Sequence, residues 1–196
     1  MPFTVTDTAL TEVKLLTPVV HRDARGFFTE SWNARDFARA LGREVVFVQD
    51  NRSQTRRGGI RGLHWQTAPH AQAKLISCTA GEIFDVVVDI RPDSATFARW
   101  TAVTLSAHTQ QMLWVPEGFA HGFVALTATA DVFYKTTDYR HPECEAAVRW
   151  NDPDIAAVWP EAADARLMSA RDAAAPLLRE VFAGVRSVGE RASTNP

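Results

Sequence analysis

Hydrophobic positions in this chain recur at every second residue more often than at helical spacing. The clearest run is residues 83–90, IFDVVVDI. Phe84, Val86, Val88 and Ile90 share one face, and Ile83, Asp85, Val87 and Asp89 share the other. The pattern predicts a strand with Phe84, Val86, Val88 and Ile90 in the core. Shorter β-rich runs predict strands at residues 45–48, 75–79, 100–105, 112–115 and 132–136. Ala80-Gly81, Arg91-Pro92-Asp93-Ser94 and Pro116-Glu117-Gly118 supply turns between them. Many short strands at this spacing predict an all-β protein, a sandwich or barrel of jelly-roll type. Helical patterning is confined to two places. Asn33 can cap residues 34–41, where Phe37 and Leu41 stack and Gly42 supplies the stop. An alanine-rich stretch at 171–182 predicts a C-terminal helix that Pro176 interrupts or starts. Residues 1–183 are expected to form one domain, and the polar residues 184–196 a loose tail.

Composition narrows the class without naming a function. Of 196 residues, 46% are hydrophobic and 22% charged, which excludes disordered and collagen-like chains. The net charge of −2 gives no reason to expect a nucleic-acid partner. Two cysteines, Cys78 and Cys144, do not make a disulfide framework. The opening MPFTVTDTALTEVKLL has neither a basic start nor an apolar stretch of signal-peptide type. No run reaches the about 20 apolar residues of a membrane helix. A soluble cytoplasmic protein with no membrane partner is therefore expected. One skew stands out: Lys14, Lys74 and Lys135 are the only lysines, which leaves 18 arginines, and Tyr134 and Tyr139 are the only tyrosines. A genomic bias toward arginine and alanine makes the retained lysines and tyrosines worth attention.

Three clusters can carry chemistry. The first is Arg61-Gly62-Leu63-His64-Trp65-Gln66 with Gln72-Ala73-Lys74 after it. If residues 62–66 are extended, His64 and Gln66 share a face. The second is Pro116-Glu117-Gly118-Phe119-Ala120-His121-Gly122-Phe123, and the third Val132-Phe133-Tyr134-Lys135. The Pro-x-Gly-x-x-His spacing resembles the second motif of the cupins, a jelly-roll superfamily built as a double-stranded β-helix. The usual first motif, His-x-His with a glutamate, is incomplete, because Gln66 stands where the second histidine belongs. Three or four ligands are needed for a metal, so the sequence argues against one. Without a metal, His64 is a candidate general base that needs an orienting carboxylate, from Asp85, Asp89 or the C-terminal segment. Tyr134 is a candidate acid on the opposite face of a substrate. Lys74 is a candidate for neutralising an enolate oxygen. Together they fit proton abstraction and return beside a carbonyl.

A longer series of motifs runs in order along the chain. Asp23-x-Arg25-Gly26-x-Phe28-x-Glu30 and Gln49-x-Asn51-x-Ser53 come first, and the three clusters follow, joined by Asp85-Val86-x-Val88-Asp89-Ile90-Arg91. Asn151-Asp152-Pro153, Trp159-Pro160 and Ser169-x-Arg171-Asp172 close it. Over residues 3–178 the series resembles the dTDP-4-dehydrorhamnose 3,5-epimerases, cupin-type enzymes of nucleotide-sugar metabolism. The resemblance implies that His64 accepts the proton, Asp172 pairs with it, Tyr134 donates a proton and Lys74 lies beside the ketone oxygen. It implies substrate contacts from Arg61 and His121, and nucleotide contacts from Arg25, Glu30, Gln49, Asn51, Glu145 and Arg171, some from the partner subunit of a homodimer. It implies a dTDP-linked 4-keto-6-deoxy sugar as substrate, with neither metal nor organic cofactor. Arginine suits the diphosphate because its planar fork donates two parallel hydrogen bonds. The chain departs from the family at Trp65, at Arg140 and at Arg171, which keeps the charge of a common lysine.

Other readings remain at this point. One is an epimerase acting at C3 alone or on another nucleotide-linked 4-keto sugar. Others are a metal-dependent cupin enzyme and a sugar-binding jelly roll without turnover. His121 and Tyr134 can be structural. Asp85 and Asp89 can serve turns, and His21, His70, His108 and His141 are expected at the surface.

Overall fold

Alternation along the strands does produce two layers. A computed structural model describes residues 3–183. The tail expected at 184–196 lies outside the described residues. The strands are β1 (Phe3–Asp7), β2 (Lys14–Pro18), β3 (Val20–Asp23), β4 (Gly26–Thr29), β5 (Gln49–Arg56), β6 (Ile60–Gln66) and β7 (Lys74–Ala80). They continue as β8 (Glu82–Asp89), β9 (Trp100–Ser106), β10 (Met112–Val115), β11 (Phe119–Ala125), β12 (Thr129–Thr136) and β13 (Glu145–Ala147). Short helices are α1 (Ala34–Leu41), α2 (Ala170–Ala173) and α3 (Leu178–Val181). One sheet has the order β1-β2-β10-β7-β12-β5 and the other β13-β6-β11-β8-β9; β3 and β4 form a separate hairpin. This is the all-β, two-sheet architecture that the spacing of the runs predicts.

The core has three parts. Ile76, Leu113 and Val132 of the first sheet meet Ile83, Val87, Leu105, Phe119 and Phe123 of the second in the seam between the sheets. Outside the second sheet, Val86, Val88 and Ile90 pack with Leu63, Trp65, Ile155 and Leu178 under the C-terminal segment. Outside the first, Phe37 of α1 packs on Leu75, Met112 and Trp114. Residues 83–90 are thus buried on both faces. The face chosen from the sequence does lie in a core, with Phe84 half-buried at its edge, but the seam is filled by the other face. At roughly 25 cal/mol per Å² of apolar surface, both layers contribute to stability.

Helix α1 forms where its caps place it. Asn33 accepts a hydrogen bond from the Asp36 N–H (3.2 Å), and Gly42 ends it at φ 70°. The C-terminal helical stretch is two separate turns, α2 and α3, on either side of Pro176. Residues 45–48 are not a strand. Val45 and Phe47 instead pack half-buried beside α1, and the Val48 N–H donates to the Thr136 carbonyl. The strand begins one residue later as β5, QDNRSQTR, which has almost no apolar pattern to reveal it. Its inward side chains face a polar cleft, and β5 is the edge of its sheet.

One close approach shapes the second sheet. Gly62 on β6 has φ +111°, and a Cβ there would meet the Gly122 Cα and the His121 carbonyl at 2.6 Å. The β6–β11 register shifts between His121 and Phe123. Two glycines facing each other let the strands touch backbone to backbone beside the cleft.

Candidate active site

The cleft opens between the two sheets, in a cavity of about 510 Å³ lined by Arg61, His64, Lys74, His121, Tyr134 and Asp172, among others. His64 comes from β6 and His121 from the neighbouring β11, where the two are paired across the ladder. Lys74 and Tyr134 come from β7 and β12 of the facing sheet. Asp172 arrives from α2, 108 residues after His64. The side chains that the first and third clusters offered for base and acid thus project from opposite walls.

His64 Nε2 lies 2.7 Å from Asp172 Oδ1. Asp172 is buried, its other oxygen accepts from the Gly62 N–H at 3.4 Å, and its own N–H donates to Ser169 Oγ at 3.1 Å. Burial works to raise the Asp172 pKa, but the hydrogen bond and charge of His64, with the Gly62 N–H, outweigh it and leave the carboxyl below its usual range. An ionised Asp172 accepts from Nε2–H and leaves the lone pair on His64 Nδ1. The orienting carboxylate is therefore Asp172, not Asp85 or Asp89. Asp89 instead receives Arg91, Ser94 and Thr96 in the turn after β8. Asp85 is fully buried 2.6 Å from His121 Nε2.

Lys74 donates to the His64 carbonyl at 3.3 Å. Burial pushes its ammonium down to about 8, opposed by the charges of Asp85 and Glu145. Burial pushes the Tyr134 phenol up, with Arg61 and Arg140 opposing and Glu145 assisting, so it holds its proton at neutral pH. Arg61 is anchored by Thr55 Oγ1 at 2.8 Å and by the Gln54 carbonyl at 3.1 Å. Nothing in the sequence marks Thr55, because its neighbours on β5 carry no apolar pattern.

A second recess of about 160 Å³ continues from the cavity past His64, Lys74 and Tyr134 to Gln49, Asn51, Arg140, Glu145 and Arg171. Gln49 Nε2 donates to Asn51 Oδ1 at 2.9 Å. Glu145 receives Arg140 Nε at 2.7 Å and Arg171 Nη1 at 2.6 Å, and Arg140 first, then Arg171, holds its carboxyl low against burial. Arg140, a departure at sequence level, thus joins an ion-pair network at the recess. Arg25 and Glu30 are not brought to either space. Arg25 sits exposed on the β3–β4 hairpin, paired with Asp23 at 2.6 Å, and Glu30 follows β4, also exposed.

The cupin metal position is not furnished here. Gln66 turns its carboxamide to the carbonyls of His70 and Tyr139 and to the His141 N–H, while His64 and His121 each face a carboxylate. These residues do not fit a metal at that place. They fit proton transfer on two sides of a carbonyl compound, with a cation for the oxygen.

A sequence model described as dTDP-4-dehydrorhamnose 3,5-epimerase matches residues 7–180. The dTDP-4-dehydrorhamnose 3,5-epimerase of Salmonella typhimurium is 50% identical over 178 residues, covering 91% of this chain and 97% of that protein. Among solved structures, an epimerase from Legionella pneumophila in complex with dTDP-4-keto-L-rhamnose aligns with a TM-score of 0.87 and 44% identity. That alignment covers 93% of this chain and 96% of the other. A 3'-monoepimerase from Streptomyces bikiniensis in complex with dTDP-quinovose aligns with a TM-score of 0.85 and 31% identity, over 95% and 94% of the two chains.

Proposed function

The chain belongs to the dTDP-4-dehydrorhamnose 3,5-epimerase family, and from that premise we propose how its residues act. The reaction is inversion at C3 and C5 of dTDP-4-dehydro-6-deoxy-D-glucose, giving dTDP-4-dehydro-L-rhamnose. His64 Nδ1 takes the proton from C3, and the C–H electron pair moves to the C4 oxygen as an enolate. Lys74 holds that oxygen by charge. Tyr134 returns a proton to C3 from the other face, and exchange with solvent moves the proton from imidazolium back to phenolate. C5 lies on the other side of the same ketone, so the same groups serve the second inversion. The observation that carries this reading is the pairing of His64 with Asp172 at 2.7 Å on one wall of a cavity whose facing wall, from the other sheet, carries Tyr134. Arg61 and His121 contact the sugar in the cavity, and Gln49, Asn51, Glu145 and Arg171 the nucleotide end in the recess.

Turnover in deuterium oxide tests the reaction. Deuterium at both C3 and C5 is expected; none at either position overturns the proposal. A second reading, inversion at C3 alone, draws on the likeness to the monoepimerase, and deuterium confined to C3 would select it.

The pH profile follows from Lys74. A lysine is charged below its pKa, so enolate stabilisation is present at pH 7 and fades as pH rises through about 8. We expect kcat/KM to fall about tenfold per pH unit above that point. A limb left in place in Lys74→Arg, which stays charged, would assign it to another group.

Arg25 and Glu30 belong with the dimer. The β3–β4 hairpin stands apart from both sheets, and Phe28 is 70% exposed, with Val19 and Phe27 about half. A lone two-stranded hairpin with such an apolar face is marginal in water. We read it as an arm that reaches a second copy's cleft and brings Arg25 and Glu30 to the diphosphate. Sedimentation is expected to give twice the 21.7 kDa chain mass; a fully active monomer would refute the arm. No described helix is long and apolar enough to cross a membrane. We place the enzyme in the cytoplasm, where the buried thiols of Cys78 and Cys144 stay reduced; recovery from an extracytoplasmic fraction would contradict that.

A further inference from the structure

Two of the histidines expected at the surface are half-buried and face each other. The His70 and His141 rings stack 7° from parallel with centroids 3.4 Å apart. Asp138 joins them: His70 Nδ1 lies 2.9 Å from its Oδ2. One donor atom from each of the three residues lies within 4.8 Å of the other two. His21 and His108, by contrast, are exposed.

We propose that His70, Asp138 and His141 form a binding site for a divalent transition metal of the zinc class, separate from the catalytic cavity. Two imidazoles and a carboxylate suit zinc, cobalt or nickel rather than magnesium or calcium, which prefer all-oxygen sets. Tetrahedral zinc with bonds near 2.0–2.1 Å spaces neighbouring donors by about 3.3 Å. The His70–Asp138 pair is within a few tenths of an ångström of that spacing. Binding replaces the proton shared between them and tilts the His141 ring out of the stack, so that its lone pair converges on the same point. Water fills the fourth position, or Glu143, whose Oε1 is 3.0 Å from His141 Nδ1.

The support behind these side chains makes them more than a chance encounter. Gln66 is 4% exposed and donates to the His70 carbonyl at 2.6 Å and the Tyr139 carbonyl at 3.1 Å. Its oxygen accepts the His141 N–H at 2.8 Å. Gln72 donates to the Asp138 carbonyl at 2.7 Å, and Asp138 Oδ1 is held by the Tyr139 N–H at 2.7 Å. One buried amide therefore fastens both loops that carry the donors, the kind of outer support that orients metal ligands. The residue that breaks the cupin metal motif supports a different site at the rim. A bound ion would clip the loop after β6 to the loop after β12 without touching His64, Lys74 or Tyr134.

The test uses full-length protein without an affinity tag, stripped with chelator and titrated with cobalt(II). One cobalt per chain is expected, with visible d–d absorption that zinc(II) displaces, and zinc should raise the unfolding temperature. His141→Ala and the near-isosteric Asp138→Asn should each weaken binding about 100-fold or more while epimerase turnover persists, which shows that they fold. No stoichiometric uptake by the parent protein would overturn the proposal. So would uptake unchanged in His70→Ala/His141→Ala, which would assign the ion elsewhere. Neither result bears on the epimerase reaction, which is measured in the same samples.

Discussion

His64→Gln is expected to slow epimerisation and solvent-deuterium incorporation together, by about 10²–10⁴-fold, the usual contribution of a positioned general base. Glutamine is the informative replacement because its amide nitrogen takes the place of Nε2 and can still donate to Asp172, while nothing replaces the basic Nδ1. Alanine would leave a buried carboxylate without its main partner, at a cost of about 1–3 kcal/mol, and would mix folding with chemistry. Both readouts must fall because inversion and exchange begin with the same C–H cleavage. The loss should appear in kcat, with KM little changed, since the sugar and nucleotide contacts are left in place. Exchange at the parent rate would refute His64 as the base. Nuclear magnetic resonance of the product pool measures exchange and inversion in one experiment.

Tyr134→Phe should separate those two readouts. Phenylalanine keeps the ring and loses only the hydroxyl, whose raised pKa keeps it protonated at neutral pH. His64 can still remove a proton, exchange it with solvent and return deuterium to the same face. Inverted product is expected to drop by about 10²–10⁴-fold while deuterium continues to enter substrate of unchanged configuration. Equal loss of both would mean that Tyr134 assists the first proton removal. Unchanged inversion would remove Tyr134 from the acid role.

Legibility from sequence varied with the kind of information each element carries. Residues 34–41 were readable because a cap, an apolar pair and a terminating glycine are all local. Residues 83–90 were readable as a strand, although which face fills the seam depends on what packs above each face, and that is not local. Strand β5 was hidden because alternation is visible only when one side is apolar, and its inner side lines a polar cleft. The stretch at 45–48 has strand-forming residues but spends them on packing beside α1. In the site, Tyr134 and Lys74 stood out by scarcity and His64 by its cluster. The partnership of His64 with Asp172 came only through the family resemblance, since no spacing rule connects residues 108 positions apart. Spacing also could not say that Asp85 belongs to His121 and Asp89 to a turn. Arg25 and Glu30 were named by motif, but a single chain leaves them outside the cleft.

The proposed base and acid are anchored on different sheets, and no hydrogen bond between His64 and Tyr134 sets their separation. What sets it is the apolar filling of the seam: Ile76 and Val132 on one side, Val87, Phe119 and Phe123 on the other. Packed interiors compress little, so these side chains act as a spacer of constant thickness for a substrate ring lying between two proton carriers. Stereochemical fidelity in this enzyme is then a property of hydrocarbon volume as much as of acid and base. A lost methyl group in the seam would blur which face receives the proton before it slowed the proton's removal.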